Sequence, residues 1–300
     1  MPELNVVTGA FGNIGQYIAE RLLREGKEVR TLTRSSVYRY EVKAFPFNFD
    51  NPSRLVESLQ GATTLYNTYW VRFPYGQSTH EKAVENSLVL IKAAEEAGLR
   101  RIVYISITNP SEESPLSYFK GKALVEKAIT QSRLSYAIVR PTVVFGPRSI
   151  LFNNIAWLLR RFPIFPIPGS GDYRVQPVSV EDVAEIAVSA GQKEDNIVVD
   201  AVGPEIYTYD ELVRLIAGRV HGRAKIIHVR PRLALFLAKL VGYLVRDVVI
   251  TDQEIEGLMA NLLVSQGSPI GQMRFSTWLD HTGEALGANY FSELAISYRR

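Results

Sequence analysis

The sequence predicts an α/β fold, a doubly wound parallel sheet followed by a smaller C-terminal lobe. Short apolar runs alternate with stretches of helical periodicity through the first half of the 300-residue chain. A glycine triplet stands where the first run meets the first helical stretch. Prolines and glycines cluster between Phe162 and Gly171, and the regular alternation stops there.

Each element follows from its own pattern. "LNVVTG" is an apolar run ending at a glycine, and "GNIGQYIAERLLREG" carries apolar residues at helical spacing with Gly26 as its stop. "EVRTLTR" reads as the second strand, "YEVKAFPFNFD" holds the third, and "PSRLVESLQG" is a short helix leading to "TTLYNTY". A helix from His80 to Ala97 precedes the strand "RIVYISI", and "SYFKGKALVEK" forms the helix before "SYAIVRP". Strands separated by helices imply parallel pairing, right-handed crossovers and helices on both faces. On this pattern residues 1–147 form the first domain, 172–200 complete its sheet, and 148–171 with 201–300 form a mostly helical lobe. Within the lobe, "PEIYTYDELVRLIAGRVHG" starts near Thr208 or Tyr209, "TDQEIEGLMANLL" is capped by Thr251 or Asp252, and the tail is a docking helical segment. "LALFLAKLVGYLV", residues 233–245, is too short to cross a bilayer and contains Lys239. It reads as a buried helix, with contact at a membrane surface as the alternative.

Composition narrows the function classes. With 46% hydrophobic and 22% charged residues, the chain is ordinary globular material. Its net charge of +3 is mild and reads as spread along the chain, and no zinc-finger spacing or RNA-binding motif is present, so nucleic acid is not an expected partner. The absence of cysteine excludes disulfides, thiolate metal sites and a cysteine nucleophile, and makes the cytoplasm the default compartment. No charged leader precedes the first strand, so no signal peptide is expected. His80, His221, His228 and His281 are widely separated and lack acidic neighbours at ligand spacing, so no metal is expected. Oligomeric state is not legible, a homodimer being one option.

The chemistry-bearing motifs come next. "TGAFGNIG" places Gly9, Gly12 and Gly15 directly after the first strand, where backbone N–H groups and a helix N-terminus suit the pyrophosphate of a dinucleotide. Thr8, Phe11, Asn13 and Ile14 share that loop. The end of the second strand has Thr33, Arg34 and Ser35 in place of the acidic residue that would bond the ribose hydroxyls of NAD. Arg34 suits a 2′-phosphate, so NADP is favoured over NAD. Asp50 either accepts from an adenine amino group or caps the helix that follows. Tyr118 and Lys122, four residues apart on one helical face, offer a phenol and the cation that would favour its phenolate.

"TGAFGNIG", "YFKGK" and "VRPTVVFGP" together resemble the short-chain dehydrogenase/reductase superfamily, in its extended, epimerase-like branch. The resemblance covers about residues 4–190, including "PGSGDYRVQPVSVEDVAE" with Asp182 opening a helix. It implies a Rossmann fold with a seven-stranded sheet, an NAD(P) cofactor contacted by Lys122 and Pro141 among others, and a small-molecule substrate bound beside the lobe. Carried over, Tyr118 is the catalytic acid-base, Lys122 holds the nicotinamide ribose, and Asn86 supports the proton relay. The usual catalytic Ser/Thr position falls on Ile107 in "YISITNPS", leaving Ser106 or Thr108 to serve. Bulky Tyr69, Trp70 and Arg72 after the fourth strand, with Phe145, would line a substrate pocket or lie in the core. The segment "KALVEKAI…LSYAIVRP" also resembles atypical relatives, the Rossmann-fold accessory subunit of respiratory complex I and NmrA-like sensors, some of which bind NADPH without turning it over. Three functions therefore stand: an NADP-dependent oxidoreductase acting on a carbonyl or alcohol, an epimerase or dehydratase, and a non-catalytic NADPH-binding scaffold or redox sensor.

Overall fold

The computed structural model describes residues 2–34 and 42–298. In chain order the elements are β1 (Leu4–Thr8), α1 (Asn13–Arg24), β2 (Glu28–Leu32), β3 (Lys43–Phe45), α2 (Pro52–Leu59), β4 (Thr64–Asn67), α3 (His80–Glu96), β5 (Arg101–Ile105), α4 (Ser117–Gln131) and β6 (Ser135–Pro141). There follow β7 (Val143–Phe145), α5 (Ile150–Arg161), β8 (Ile164–Pro168), β9 (Arg174–Val175), β10 (Pro177–Ser179), α6 (Val180–Gly191) and β11 (Ile197–Ala201). The last are β12 (Tyr207–Thr208), α7 (Tyr209–Arg219), β13 (Lys225–Val229), α8 (Pro231–Val245), α9 (Asp252–Met259), α10 (Phe275–Thr282) and a π-helical turn, Leu294–Tyr298.

The chain divides into two compact units, Met1–Pro141 with Val180–Ala201, and Thr142–Ser179 with Val202–Arg300. The first carries a seven-stranded parallel sheet in the order β11-β6-β5-β4-β1-β2-β3. Its interior strands are continuous apolar runs because helices cover them: all five residues of β5 are buried. The strand register also holds past the strand ends. Ser106 N donates to Val139 O at 2.8 Å and Thr108 N to Pro141 O at 3.0 Å.

Arg101, at the start of β5, anchors the sheet to the end of α6. It is fully buried, and its guanidinium donates to Ala190 O at 3.1 Å, Ser135 Oγ at 3.1 Å, Glu194 O at 3.3 Å and Asp195 O at 2.9 Å. The side chain thus satisfies carbonyls at the C-terminus of α6, where a cation is favoured. Arg101→Met leaves these acceptors unpaired and is expected to cost about 3 kcal/mol, read as a lower urea midpoint at unchanged m-value.

The expected boundaries shift. Residues 142–147 fall in the second unit, where β7 pairs with β10 in parallel, and 172–179 lie there too, so the sheet of the first unit is completed by 180–201. Caps decide smaller questions. Thr208 and Thr251 are the N-caps of α7 and α9, each in a capping box with the glutamate three residues on. Asn51, not Asp50, caps α2 by accepting from Arg54 N at 3.3 Å.

In the second unit the core gathers Phe145, Phe152, Phe275 and Leu212 with neighbours from α5, α7 and α10. The helix α8 departs from the buried helix that its composition suggests. Only Ala234 and Gly242 are buried along it, Leu235, Leu237, Val241 and Val245 are half-buried, and Leu233, Phe236, Leu240, Tyr243 and Leu244 are exposed. Among the described residues no helix is long and apolar enough to cross a membrane.

Candidate functional site

The glycine loop joins β1 to α1. Gly9 has φ +63°, a conformation open to glycine, and Gly9 N donates to Leu32 O at 2.8 Å. A Cβ on Gly15 would meet Gly9 O at 2.3 Å, Gly9 C at 2.8 Å and Thr8 O at 3.0 Å, all backbone atoms. The Gly12 N-cap supplies no side-chain acceptor, and no acidic residue lies in the first turn of α1. The first-turn N–H groups are therefore left to a ligand or to water, beside a loop that approaches closely because it lacks side chains. Thr8 does not share in this. Its hydroxyl donates to Asn67 Oδ1 at 3.2 Å and accepts from Thr68 N at 2.7 Å, tying the end of β1 to β4. Thr33 continues the strand pairing through Thr33 N to Phe45 O at 2.9 Å. Arg34 is exposed, and Ser35 lies outside the described residues.

Successive residues after β4 serve two different places. Tyr69 packs with Phe47 and Phe49, ring centroids 5.1 and 5.0 Å away, and its hydroxyl accepts from Asn86 Nδ2 at 2.8 Å. Tyr69 and Asn86 line a cavity of about 300 Å³ together with Arg34, Ser78, Thr79 and Lys82. Asn86 thus belongs with Tyr69 and Arg34, whereas the resemblance assigns it to a proton relay.

Trp70 turns to α4. Its indole lies parallel to the His80 ring at 6.0 Å and edge-on to Tyr118 at 5.9 Å, and His80 meets Tyr118 edge-on at 5.5 Å. A Cβ on Gly121 would reach Trp70 Cη2 at 2.9 Å, so the glycine between Tyr118 and Lys122 seats the indole. His80 is further fixed by Nδ1 and Ser117 Oγ at 2.7 Å. Nothing in the spacing of "THEKAV" marks His80 as part of this cluster; it arrives because α3 packs beside α4.

Lys122 departs furthest from expectation. It is 3% exposed, its ammonium donates to Ile105 O at 2.7 Å, and it sits 4.7 Å from the Trp70 ring centre and 4.9 Å from that of Tyr104. Burial pulls its pKa from 10.5 down to about 7, so the cation is far less favoured here than in water. Such a group is a weak source of the field that would ionise Tyr118. Close by, burial raises the pKa of Tyr104 well above its ordinary value. Arg140 and Glu126 form a two-pronged ion pair that ties β6 to α4 and sets the height of the Tyr118 helix against the sheet.

Ser106 and Thr108 are both buried, and neither Oγ has a hydrogen-bond partner among the described residues. Pro141 closes β6 and accepts from Thr108 N. Arg72 lies over the Phe73 ring at 5.4 Å. Phe145, considered for a substrate pocket, is instead a core residue of the second unit, fully buried against Phe275 and Trp278 with centroids 5.2 Å away in each case.

Comparison with known proteins places this arrangement. The mitochondrial NADH dehydrogenase (ubiquinone) 1 alpha subcomplex subunit 9 of Arabidopsis thaliana is 26% identical over 229 residues, 70% of this chain and 56% of that protein, so the chain spans little more than half that relative's length. Triphenylmethane reductase of Citrobacter sp. superposes with a TM-score of 0.76 at 16% identity, covering 94% of this chain and 99% of that one. A nucleoside-diphosphate-sugar epimerase from Staphylococcus aureus gives a TM-score of 0.72 at 16% identity, covering 93% and 100%. At such identities the two structures share the fold, an extended Rossmann type. The model of the NmrA-like family matches residues 3–236, a span that holds the glycine loop, the Tyr118–Lys122 helix and the Arg140–Pro141 strand, and the chain belongs to that family.

Proposed function

We propose that the first unit binds a nicotinamide dinucleotide, NADP(H) ahead of NAD(H), and holds it without turning it over. Binding is supported by the glycine cradle and by the first turn of α1, whose N–H groups at Asn13, Ile14 and Gly15 suit a pyrophosphate. The residues facing the adenosine end fit the phosphorylated form. Among the described residues Arg34 has no ion-pair partner, and it lines the same cavity as Ser78, Thr79 and Lys82. Phe47, Phe49 and Tyr69 offer flat apolar surface nearby, and exposed Asp50 is an acceptor for an amino group.

The absence of turnover rests on one observation, the Lys122 ammonium donated into the sheet at Ile105 O beneath Trp70. A bound nicotinamide supplies a hydride; the matching proton is the protein's to move, at the Tyr118 hydroxyl. A lysine closed off from solvent and committed to Ile105 O neither holds ribose hydroxyls nor lowers that phenol's pKa.

A second reading is favoured by the partnerless Ser106 and Thr108 hydroxyls, which would suit a substrate carbonyl or alcohol. In that reading Tyr118 is the acid-base of an oxidoreductase. Titration with NADPH and NADH, followed by NADPH oxidation against a panel of small carbonyls, separates the two. NADPH is expected to bind more than about tenfold tighter than NADH, and Arg34→Ala to remove that preference, as loss of a charged hydrogen bond requires. Tighter NADH binding sinks the choice of cofactor. Turnover that disappears in Tyr118→Phe while NADPH affinity stays establishes the oxidoreductase.

A further inference from the structure

The second unit carries a surface that dinucleotide binding does not use. Along α8 the exposed large residues are Leu233, Phe236, Leu240, Tyr243 and Leu244, with Tyr243 86% and Leu244 70% exposed. Their spacing puts them on one stripe of the helix. Arg232, Lys239 and Arg246, seven residues apart, run along one side of that stripe. Arg232 and Lys239 have no ion-pair partner among the described residues. The wider charge pattern points the same way. Between Glu211 and Asp247 the chain has Arg214, Arg219, Arg223, Lys225, Arg230, Arg232, Lys239 and Arg246 and neither Asp nor Glu, with Arg214 and Arg219 paired to Asp210 and Asp280 and the other six left as the basic excess. The mild net charge of +3 therefore conceals a strongly basic segment.

The helix is held from behind rather than loosely attached. Ala234 and Gly242 are buried, and a Cβ on Gly242 would lie 2.6 Å from Asp247 O. Asp247, itself buried, accepts from Tyr290 OH at 3.0 Å, Glu293 N at 2.8 Å and Leu294 N at 3.0 Å. The outward face is thus presented in a fixed orientation. With 15 residues α8 is about 22 Å long, short of the roughly 30 Å of a bilayer core, and Lys239 interrupts it.

We infer that α8 is a membrane-surface helix that lies flat on a bilayer bearing anionic lipid. The apolar stripe enters the boundary between headgroups and acyl chains. Arg232, Lys239 and the guanidinium of Arg230 at the N-cap meet lipid phosphate, their stems running along the apolar edge, and Tyr243 sits at headgroup depth. Charge complementarity selects this occupant over a second copy of the chain, whose own α8 would bring like charges together.

Co-sedimentation with vesicles tests the assignment. The 300-residue chain is mixed with pure phosphatidylcholine vesicles and with vesicles containing about one-third phosphatidylglycerol, at low salt and at high salt. Partitioning to the anionic vesicles is expected to be at least about tenfold stronger, and high salt should remove most of the difference. Arg232→Gln with Lys239→Gln is expected to lower anionic binding about tenfold or more, at about 1 kcal/mol per basic residue. Leu240→Glu with Leu244→Glu should abolish it while leaving the thermal midpoint and NADPH titration unchanged, because these side chains are exposed. No binding to either vesicle, or binding that both variants retain, overturns the assignment. So does a dimer in light scattering that Leu240→Glu with Leu244→Glu dissociates without any vesicle binding by the parent chain.

Discussion

Gly15→Ala is expected to lower NADPH affinity by more than about 100-fold, the largest binding effect available from a single methyl group in this chain. The added Cβ would lie 2.3 Å from Gly9 O, with Gly9 C and Thr8 O also inside normal contact. These atoms belong to the turn that shapes the cradle, and none is the end of a flexible side chain. Relief requires α1 to move away from β1, which withdraws its N-terminal N–H groups from the loop. Overpacking of this kind costs about 1–3 kcal/mol of stability, so the variant should fold with a lower urea midpoint while its titration is nearly flat. Gly12→Ala is the comparison: its Cβ would meet Gly9 O at 3.2 Å and no other protein atom, so the fold should keep its urea midpoint while the added methyl, standing in the cradle, still weakens NADPH binding. Calorimetric titration and urea unfolding of both variants check the contrast. Equal affinities for Gly15→Ala and the parent chain would remove the glycine loop from the binding site.

The second large effect is the pH dependence created by Lys122. Its folded pKa is depressed by burial from 10.5 to about 7. Below about pH 7 both folded and unfolded states carry the proton, and the full cost of burying the cation is present. Between about 7 and 10.5 the folded state has released the proton that the unfolded chain still holds, so stability rises with pH. Above that range both states are neutral and the cost is gone. The shift corresponds to about 5 kcal/mol as an order of magnitude. Lys122→Met keeps the stem between Trp70 and Tyr104 and removes the titration. Urea unfolding of both proteins at pH 7 and pH 10 should give a parent-minus-variant stability difference that changes by several kcal/mol in favour of the parent chain as pH rises. A constant difference would mean that the ammonium reaches water, and with it the argument against turnover would fall.

Bound NADPH bears on the same group. If the dinucleotide is held away from Lys122, as proposed, the pH window of the parent chain should persist in its presence. If the ribose captures the ammonium, the window should move upward, because a hydrogen-bonded cation is harder to deprotonate.

Much of the first unit was legible from local pattern. The run "LNVVTG" and the glycines after it specify a strand, a tight turn and a helix start within a few residues, and the structure has β1 and α1 there. Alternation of strand and helix was enough for a parallel sheet with right-handed crossovers, while its seven strands were implied by the family resemblance; the structure has both. The caps were legible to within one residue, Thr208 or Tyr209 and Thr251 or Asp252, and the capping boxes of the structure decide for the threonines.

What the sequence determined by itself was therefore the order of elements in the first unit, the glycine loop and the residues gathered on α4, whereas the lobe read as mostly helical also holds β7 to β10, β12 and β13. Tertiary structure alone decided which way those residues act. Tyr118 and Lys122 share a helical face in any register, but the burial of the ammonium depends on Trp70 from the loop after β4 and Tyr104 from β5. Tyr69 and Trp70 are neighbours in sequence and serve different places because one packs with Phe47 and Phe49 and the other on Gly121. The apolar stretch of α8 looked like core for the same reason: composition measures how much apolar surface a helix has, and only packing decides how much of it another element covers. Periodicity and turn chemistry act over a few residues, whereas desolvation is set by atoms from distant segments, and that difference in range divides what was legible from what was not.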